Sequence, residues 1–101
     1  MINRMKMFSG LILATSLSTS AEAGDSIAGQ EVYAVHCASC HGPEGVPALP
    51  DVPDFTIGQG LQKSDLVLIQ TIRSGQKMMP AYEFILTEKQ LLDVLAYLRT
   101  F

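Results

Sequence analysis

The only two cysteines of the 101-residue chain stand in Cys37-Ala38-Ser39-Cys40-His41. Two thiols three residues apart near a helix end project to one side. A histidine directly after them can swing its imidazole beneath whatever the thiols hold. Cys-x-x-Cys-His is the pattern at which haem is attached covalently. The thiols match two neighbouring vinyl groups on one porphyrin edge, and the histidine reaches the iron from one face. The expected cofactor is therefore one covalent haem c, with Cys37 and Cys40 as thioether residues and His41 as the proximal iron ligand.

Three other chemistries use a Cys-x-x-Cys pair. A thioredoxin-like redox couple wants a βαβ context, which the pattern of this chain lacks, and has no use for His41. A zinc site needs a fourth ligand, and the one other histidine, His36, is adjacent to Cys37 and poorly placed to complete a tetrahedron. A plain disulfide across so small a loop would add little stability. His36 is also a poor second iron ligand, because attachment through Cys37 points the haem away from that turn.

Around this motif the chain reads as an exported small domain. Asn3-Arg4-Met5-Lys6 is a short positive start, Phe8 opens an uncharged apolar run to Leu17, and Ala21-Glu22-Ala23 is an A-x-A cleavage site. These are the three parts of a secretory signal peptide over 1–23. The alternative, an uncleaved membrane anchor, fits the cleavage site less well. Removal leaves 24–101 as one domain in the periplasm, with no stretch long enough to span a bilayer. A chain this short needs a staple, and a cofactor can be one. Over 24–101 there are five basic and nine acidic residues, a net charge of −4. Without a Lys/Arg run such a domain is unsuited to nucleic acid or to an anionic membrane surface. A redox protein with a positive or mixed face suits it better as donor or acceptor.

The elements that must position the motif read as helices; sustained period-2 alternation is missing, so little or no sheet is expected. A first helix should run over 26–37 or beyond, with Gly29, Tyr33 and Cys37 on one face and Gly42-Pro43 ending it. Over 42–60, Pro43, Pro47, Pro50 and Pro53 preclude helix or central strand. This segment should wrap as a long loop pinned by Val46, Leu49, Val52 and Phe55. Ser64 caps a second helix, with an apolar stripe of Leu66, Ile69 and Ile72 and Gly75 at its end. Thr87 and Gln90 form a capping box for a third, with Leu86 and Leu91 at the staple positions. Leu91, Val94, Leu95 and Leu98 make its core stripe.

Between the last two helices lies Met78-Met79-Pro80-Ala81-Tyr82. The leader removed, Met78 and Met79 are the only methionines. Pro80 forces Met79 towards extended geometry, on a loop where its thioether can point inward. Adjacent extended residues point opposite ways, so Met79 is the expected distal iron ligand and Met78 its alternative. Phe55, Tyr82 and Phe84 are candidates for the haem crevice or for plain core packing.

With these residues in order, the chain resembles the class I c-type cytochromes in their small bacterial monohaem form. The resemblance runs from Gly29 and Tyr33 through Cys37-x-x-Cys40-His41-Gly42 and Gly75…Met79-Pro80 to Leu91…Ala96-Tyr97-Leu98. It implies an all-α cytochrome c fold of three main helices and long loops around one covalently attached haem. It implies His/Met ligation and outer-sphere one-electron transfer rather than enzymatic catalysis. It further implies that Gly29 and Tyr33 meet Val94 and Tyr97, and that a proline carbonyl, from Pro47, Pro50 or Pro53, orients His41. The acidic charge departs from the lysine-rich respiratory shuttles. The expected function is a periplasmic electron carrier, a monomer or a subunit of a redox complex. The alternatives are a haem subunit docked to a periplasmic dehydrogenase or reductase, or, were the sixth iron position open, a ligand-binding sensor or peroxidase.

Overall fold

Asp25 caps the first regular element among the described residues. Its backbone is extended, and its carboxylate accepts the free N–H groups of Ile27 and Ala28 at the start of α1, Ser26–His36. The structure is a computed structural model that describes residues 9–16 and 24–101. Of the expected leader, the charged start and the A-x-A site lie outside the described residues; 9–16 form no regular element.

The first helix does not run straight through the motif. It breaks at Cys37 and resumes as a single turn, α2, Ala38–His41. Gly42 then takes φ +80°, where a side chain would collide with the carbonyl of Val46, so glycine is required for the chain to fold back. The proline-rich segment follows as loop, relieved by one 3₁₀ turn over Phe55–Ile57 that Asp54 caps. α3, Asp65–Ser74, is capped by Ser64 and stopped by Gly75 at φ +75°. α4, Glu88–Leu98, opens with the expected capping box. The Gln90 N–H donates to Thr87 Oγ1 at 3.1 Å, and the Thr87 N–H donates to Gln90 Oε1 at 2.9 Å. Leu86 and Leu91, the staple pair, are both buried in one cluster. Among the described residues there is no strand, only an isolated bridge between Gln76 and Met79. No helix among them is long and apolar enough to cross a membrane.

The packing centres on one crossing. A Cβ on Gly29 would overlap the Asp93 carbonyl and lie 2.9 Å from the Val94 nitrogen. At this point α1 and α4 touch backbone to backbone, which a small residue alone permits. One turn on, Tyr33 is 1% exposed and sits edge-on to Tyr97, with ring centroids 5.2 Å apart. The expected meeting of Gly29 and Tyr33 with Val94 and Tyr97 is thus present. Asp93 is buried at the same crossing; its Oδ1 accepts the Asp25 N–H at 2.8 Å and its Oδ2 pairs with Lys89 Nζ at 2.6 Å. Those partners hold its carboxyl below the usual carboxylate range, the Lys89 hydrogen bond contributing most and the Asp25 N–H next.

Two packing expectations need correcting. Leu66 is 80% exposed, and α3 instead packs Leu68, Ile69 and Ile72 on the core. Arg99, at the end of α4, donates to the carbonyls of Leu61 and Lys63 and to Asp65 Oδ1. That clamp fixes how α3 leaves its loop, and with it the face turned inward. Of the four expected anchors of the 42–60 loop only Phe55 is buried; Val46 and Leu49 are exposed and Val52 is half-buried. Four prolines already restrict this backbone, so it needs fewer apolar anchors.

Two stability measurements follow from the crossing. Gly29→Ala should cost about 2–3 kcal/mol, because both colliding groups are backbone. The thermal midpoint should fall by on the order of 10 °C or more; an unchanged midpoint would mean that the helices do not touch here. Asp93 has a folded-state pKa below its unfolded value, so its contribution is complete above the ordinary value of 3.8 and is lost as pH falls through the depressed one. Asp93→Asn keeps an acceptor for Asp25 but loses the charge. It should therefore cost about 1 kcal/mol at pH 7, with a gap from wild type that narrows as denaturation is repeated below pH 3.8.

Candidate functional site

The break at Cys37 shapes the motif. The N–H groups of Cys40 and His41 converge on the Cys37 carbonyl at 3.2 and 2.9 Å, so the ladder of α1 stops one residue short. Both thiols are free and half-buried. Burial, and then the neighbouring Cys40, push the Cys37 thiol up to about 11. A thiolate, the form that zinc requires, is disfavoured there, whereas a neutral thiol or thioether is not. Among the described residues no group of three or more His, Cys, Asp or Glu gathers to hold a metal ion, which leaves the zinc alternative without support.

His41 lies flat on Phe55, with ring centroids 4.8 Å apart and planes 12° from parallel. Phe55 stacks in turn on Phe101, and Phe101 touches both Tyr33 and Tyr97. An aromatic column thus joins the imidazole to the α1–α4 crossing. Burial lowers the His41 pKa from its usual value, favouring the neutral imidazole that binds metals. Its Nδ1 is buried and has no hydrogen-bond partner, so none of the Pro47, Pro50 or Pro53 carbonyls accepts from it. The ring plane is set by stacking on Phe55 rather than by a proline carbonyl. An orphaned buried nitrogen is rare in proteins, and here it belongs to a side chain with coordinating chemistry.

Two tyrosine hydroxyls grip the motif from either end. Tyr33 Oη donates to the Gly42 carbonyl at 2.6 Å, and Tyr82 Oη donates to the His36 carbonyl at 2.9 Å. Burial first, then Cys37 and Tyr97, push the Tyr33 hydroxyl up to about 12. Burial, then Cys37 and Cys40, raise that of Tyr82 as well. Both therefore keep the proton they donate. The residue pattern puts Tyr33 on the packing face and leaves Tyr82 as either a crevice or a core residue, and it indicates neither bond. Nothing in a residue pattern marks which distant carbonyl a hydroxyl will reach.

The methionine loop is shaped by Gly75, where a Cβ would lie 2.7 Å from the Met79 carbonyl oxygen. Gln76 and Met79 then exchange backbone hydrogen bonds at 3.1 and 2.9 Å. Met79 is half-buried against the Tyr82, Leu86 and Leu91 cluster, while Met78 is 92% exposed. Phe84, expected as a crevice candidate, is 99% exposed. The N–H groups of Ile85 and Leu86 both fold back to the Tyr82 carbonyl; the turn that buries Tyr82 leaves Phe84 outside. Two free thiols, an imidazole with an unpartnered nitrogen and a half-buried thioether are a set of groups that fits an iron porphyrin attached through sulfur.

Comparison with known proteins agrees with this chemistry. The sequence profile of the family described as cytochrome c oxidase, cbb3-type, subunit III matches residues 25–98. Cytochrome c6 of a Synechococcus species is 35% identical over 88 residues, covering 84% of this chain and 78% of that protein. Cytochrome c6 of Thermosynechococcus vestitus is 33% identical over 90 residues, covering 86% and 80%. The solved structure of cytochrome c6 from the diatom Phaeodactylum tricornutum superposes with a TM-score of 0.59 at 26% identity, covering 76% of this chain and 93% of that one. The chain belongs to the class I c-type cytochromes: it is a small all-α electron carrier with one covalent haem c, working between donor and acceptor proteins, and not an enzyme.

Proposed function

We propose that Cys37 and Cys40 hold the haem as thioethers, that His41 and Met79 are its two axial iron ligands, and that the protein carries single electrons in the periplasm. When bound, the haem iron supplies one-electron Fe(III)/Fe(II) exchange. The chain's residues do the rest. Cys37 and Cys40 fix the porphyrin edge, Phe55 holds the plane of the His41 ring, and Gly75 shapes the loop that presents Met79. The observation that carries the reading is the contrast within the methionine pair. Met79 is half-buried against Tyr82, Leu86 and Leu91, and Met78 is 92% exposed. Were His41 and Met79 both to hold the iron, no open position would remain there for a substrate.

The leader over 1–23 supports export, and 24–101 is the expected mature carrier, acting as a monomer. A second reading, a haem subunit held permanently in a larger redox complex, draws on the family description that names an oxidase subunit. The free carrier is favoured because the chain matches cytochrome c6 over 78% and 80% of the length of two such proteins. Size-exclusion of a native periplasmic extract separates the two readings: the haem elutes alone or with a large assembly.

The ligand assignment is tested by optical spectra of the exported, purified protein, oxidised and reduced. Sharp low-spin reduced bands are expected, with a weak far-red thioether–iron band in the oxidised form. That band should vanish in Met79→Ala, survive in Met78→Ala, and take the reduction potential down with it. A high-spin wild-type spectrum that shifts on adding carbon monoxide or cyanide would overturn the assignment and indicate a ligand-binding haem. The intact mass of the same preparation should equal residues 24–101 plus one haem. A mass that retains 1–23 would show an uncleaved anchor instead.

A further inference from the structure

We infer that Tyr82 is a positioning residue for Met79: its hydroxyl latches the methionine loop to the carbonyl of His36, at the threshold of the motif. This rests on Met79 as distal ligand, proposed above. The loop's other bonds do not reach the motif. The Gln76–Met79 pair closes the loop on itself, and the N–H groups of Tyr82 and Glu83 tie it to the Ile72 and Arg73 carbonyls on α3. The Tyr82 Oη–His36 bond spans 46 residues of sequence to reach the end of α1.

The acceptor is available for a structural reason. The last carbonyls of a helix lack intrahelical partners. Here the chain breaks at Cys37, and the Cys40 N–H turns to the Cys37 carbonyl instead of reaching back to His36. The same break that shapes the thiol pair therefore frees the carbonyl that Tyr82 takes. The Tyr82 ring is buried, lies edge-on to the His36 imidazole at 5.8 Å, and shares its cluster with Met79. Tyr82 thus relates the spacing of Met79 to that of the segment bearing Cys37, Cys40 and His41. Phenylalanine at this position would keep the packing and lose that registration.

The test uses the ferric holoprotein and imidazole as a competing iron ligand. Imidazole binds only when Met79 withdraws, so its apparent affinity reports opening of the loop without global unfolding. Tyr82→Phe should bind imidazole about fivefold to tenfold more tightly, the effect of losing one hydrogen bond to a partly buried carbonyl. Its far-red thioether–iron band should also disappear on heating well before helical circular dichroism is lost. Phe84→Ala, which alters an exposed ring on the same loop, should leave both readouts at wild-type values. Wild-type imidazole affinity in Tyr82→Phe, even with a lower global midpoint, would reduce Tyr82 to a packing residue and overturn the inference. If Tyr82→Phe fails to retain haem, the wild-type protein still decides. A Tyr82 hydroxyl proton in slow exchange and close to His36 in NMR spectra supports the latch, and fast exchange overturns it. Failure of the ligand assignment itself looks different: the wild-type far-red band is absent, or persists in Met79→Ala, and both readings then fall.

Discussion

The contact of α1 with α4 at Gly29 is the constraint on which the other features depend. Backbone atoms of Asp93 and Val94 occupy the space that any side chain at Gly29 would need. This close approach brings Tyr33 edge-on to Tyr97 and seats Phe101 against both. Phe101 in turn backs Phe55, on which the His41 imidazole lies. Displacing the two helices would thus be felt at His41, the proposed iron ligand, although Gly29 is twelve residues before it in the chain. Closely packed interiors transmit such shifts rather than absorb them.

The same crossing explains why the motif can be built at an irregular point. A helix broken at Cys37 leaves backbone carbonyls without their usual partners, and buried polar groups without partners are costly. Tyr82 from the methionine loop supplies the missing donor at His36, while Tyr33 from within α1 adds a second donor to the Gly42 carbonyl, which also accepts the Gly45 N–H at 3.3 Å. Each hydroxyl binds a backbone carbonyl and, in doing so, fixes one end of the 37–41 segment. A carrier benefits from such a frame, because a site whose supporting residues are locked changes little in geometry between its two states.

Much of this was legible in the residues. Thr87 and Gln90 announce a capping box through local chemistry, and both hydrogen bonds are formed. Ser64 and Gly75 bound α3 for equally local reasons. Gly29, Tyr33, Val94 and Tyr97 meet as the family resemblance implied. What escaped depends on partners distant in sequence. The face of α3 was misjudged at Leu66, because the Arg99 clamp that orients the helix lies 34 residues beyond Asp65. Phe84 was grouped with Tyr82 by aromatic character, yet a single turn buries one ring and exposes the other. Asp25 was overlooked as the cap of α1, and Asp93 had no mark in the helix pattern that could distinguish it from a surface acid. Their bond to one another, across 68 residues, is visible only once the helices cross.

The electrostatics of the two regions run in opposite directions. At the crossing, the charged form of Asp93 is stabilised by a backbone N–H and by Lys89. At the motif, burial favours the neutral forms of four groups: it lowers His41, raises Cys37 and raises both Tyr33 and Tyr82. The proposed donors, two thioethers, an imidazole and a methionine sulfur, are likewise uncharged. Such half-buried neutral groups provide no anion to offset added positive charge among them. They would therefore favour the less charged form of a group held among them, as desolvation does for any group. Ligation by Met79, as proposed, would act in the same direction. The acidic groups of Glu31, Glu44, Asp51, Glu83 and Glu88 are exposed on the outside. There they can steer a partner of opposite charge while water screens their effect on the buried site.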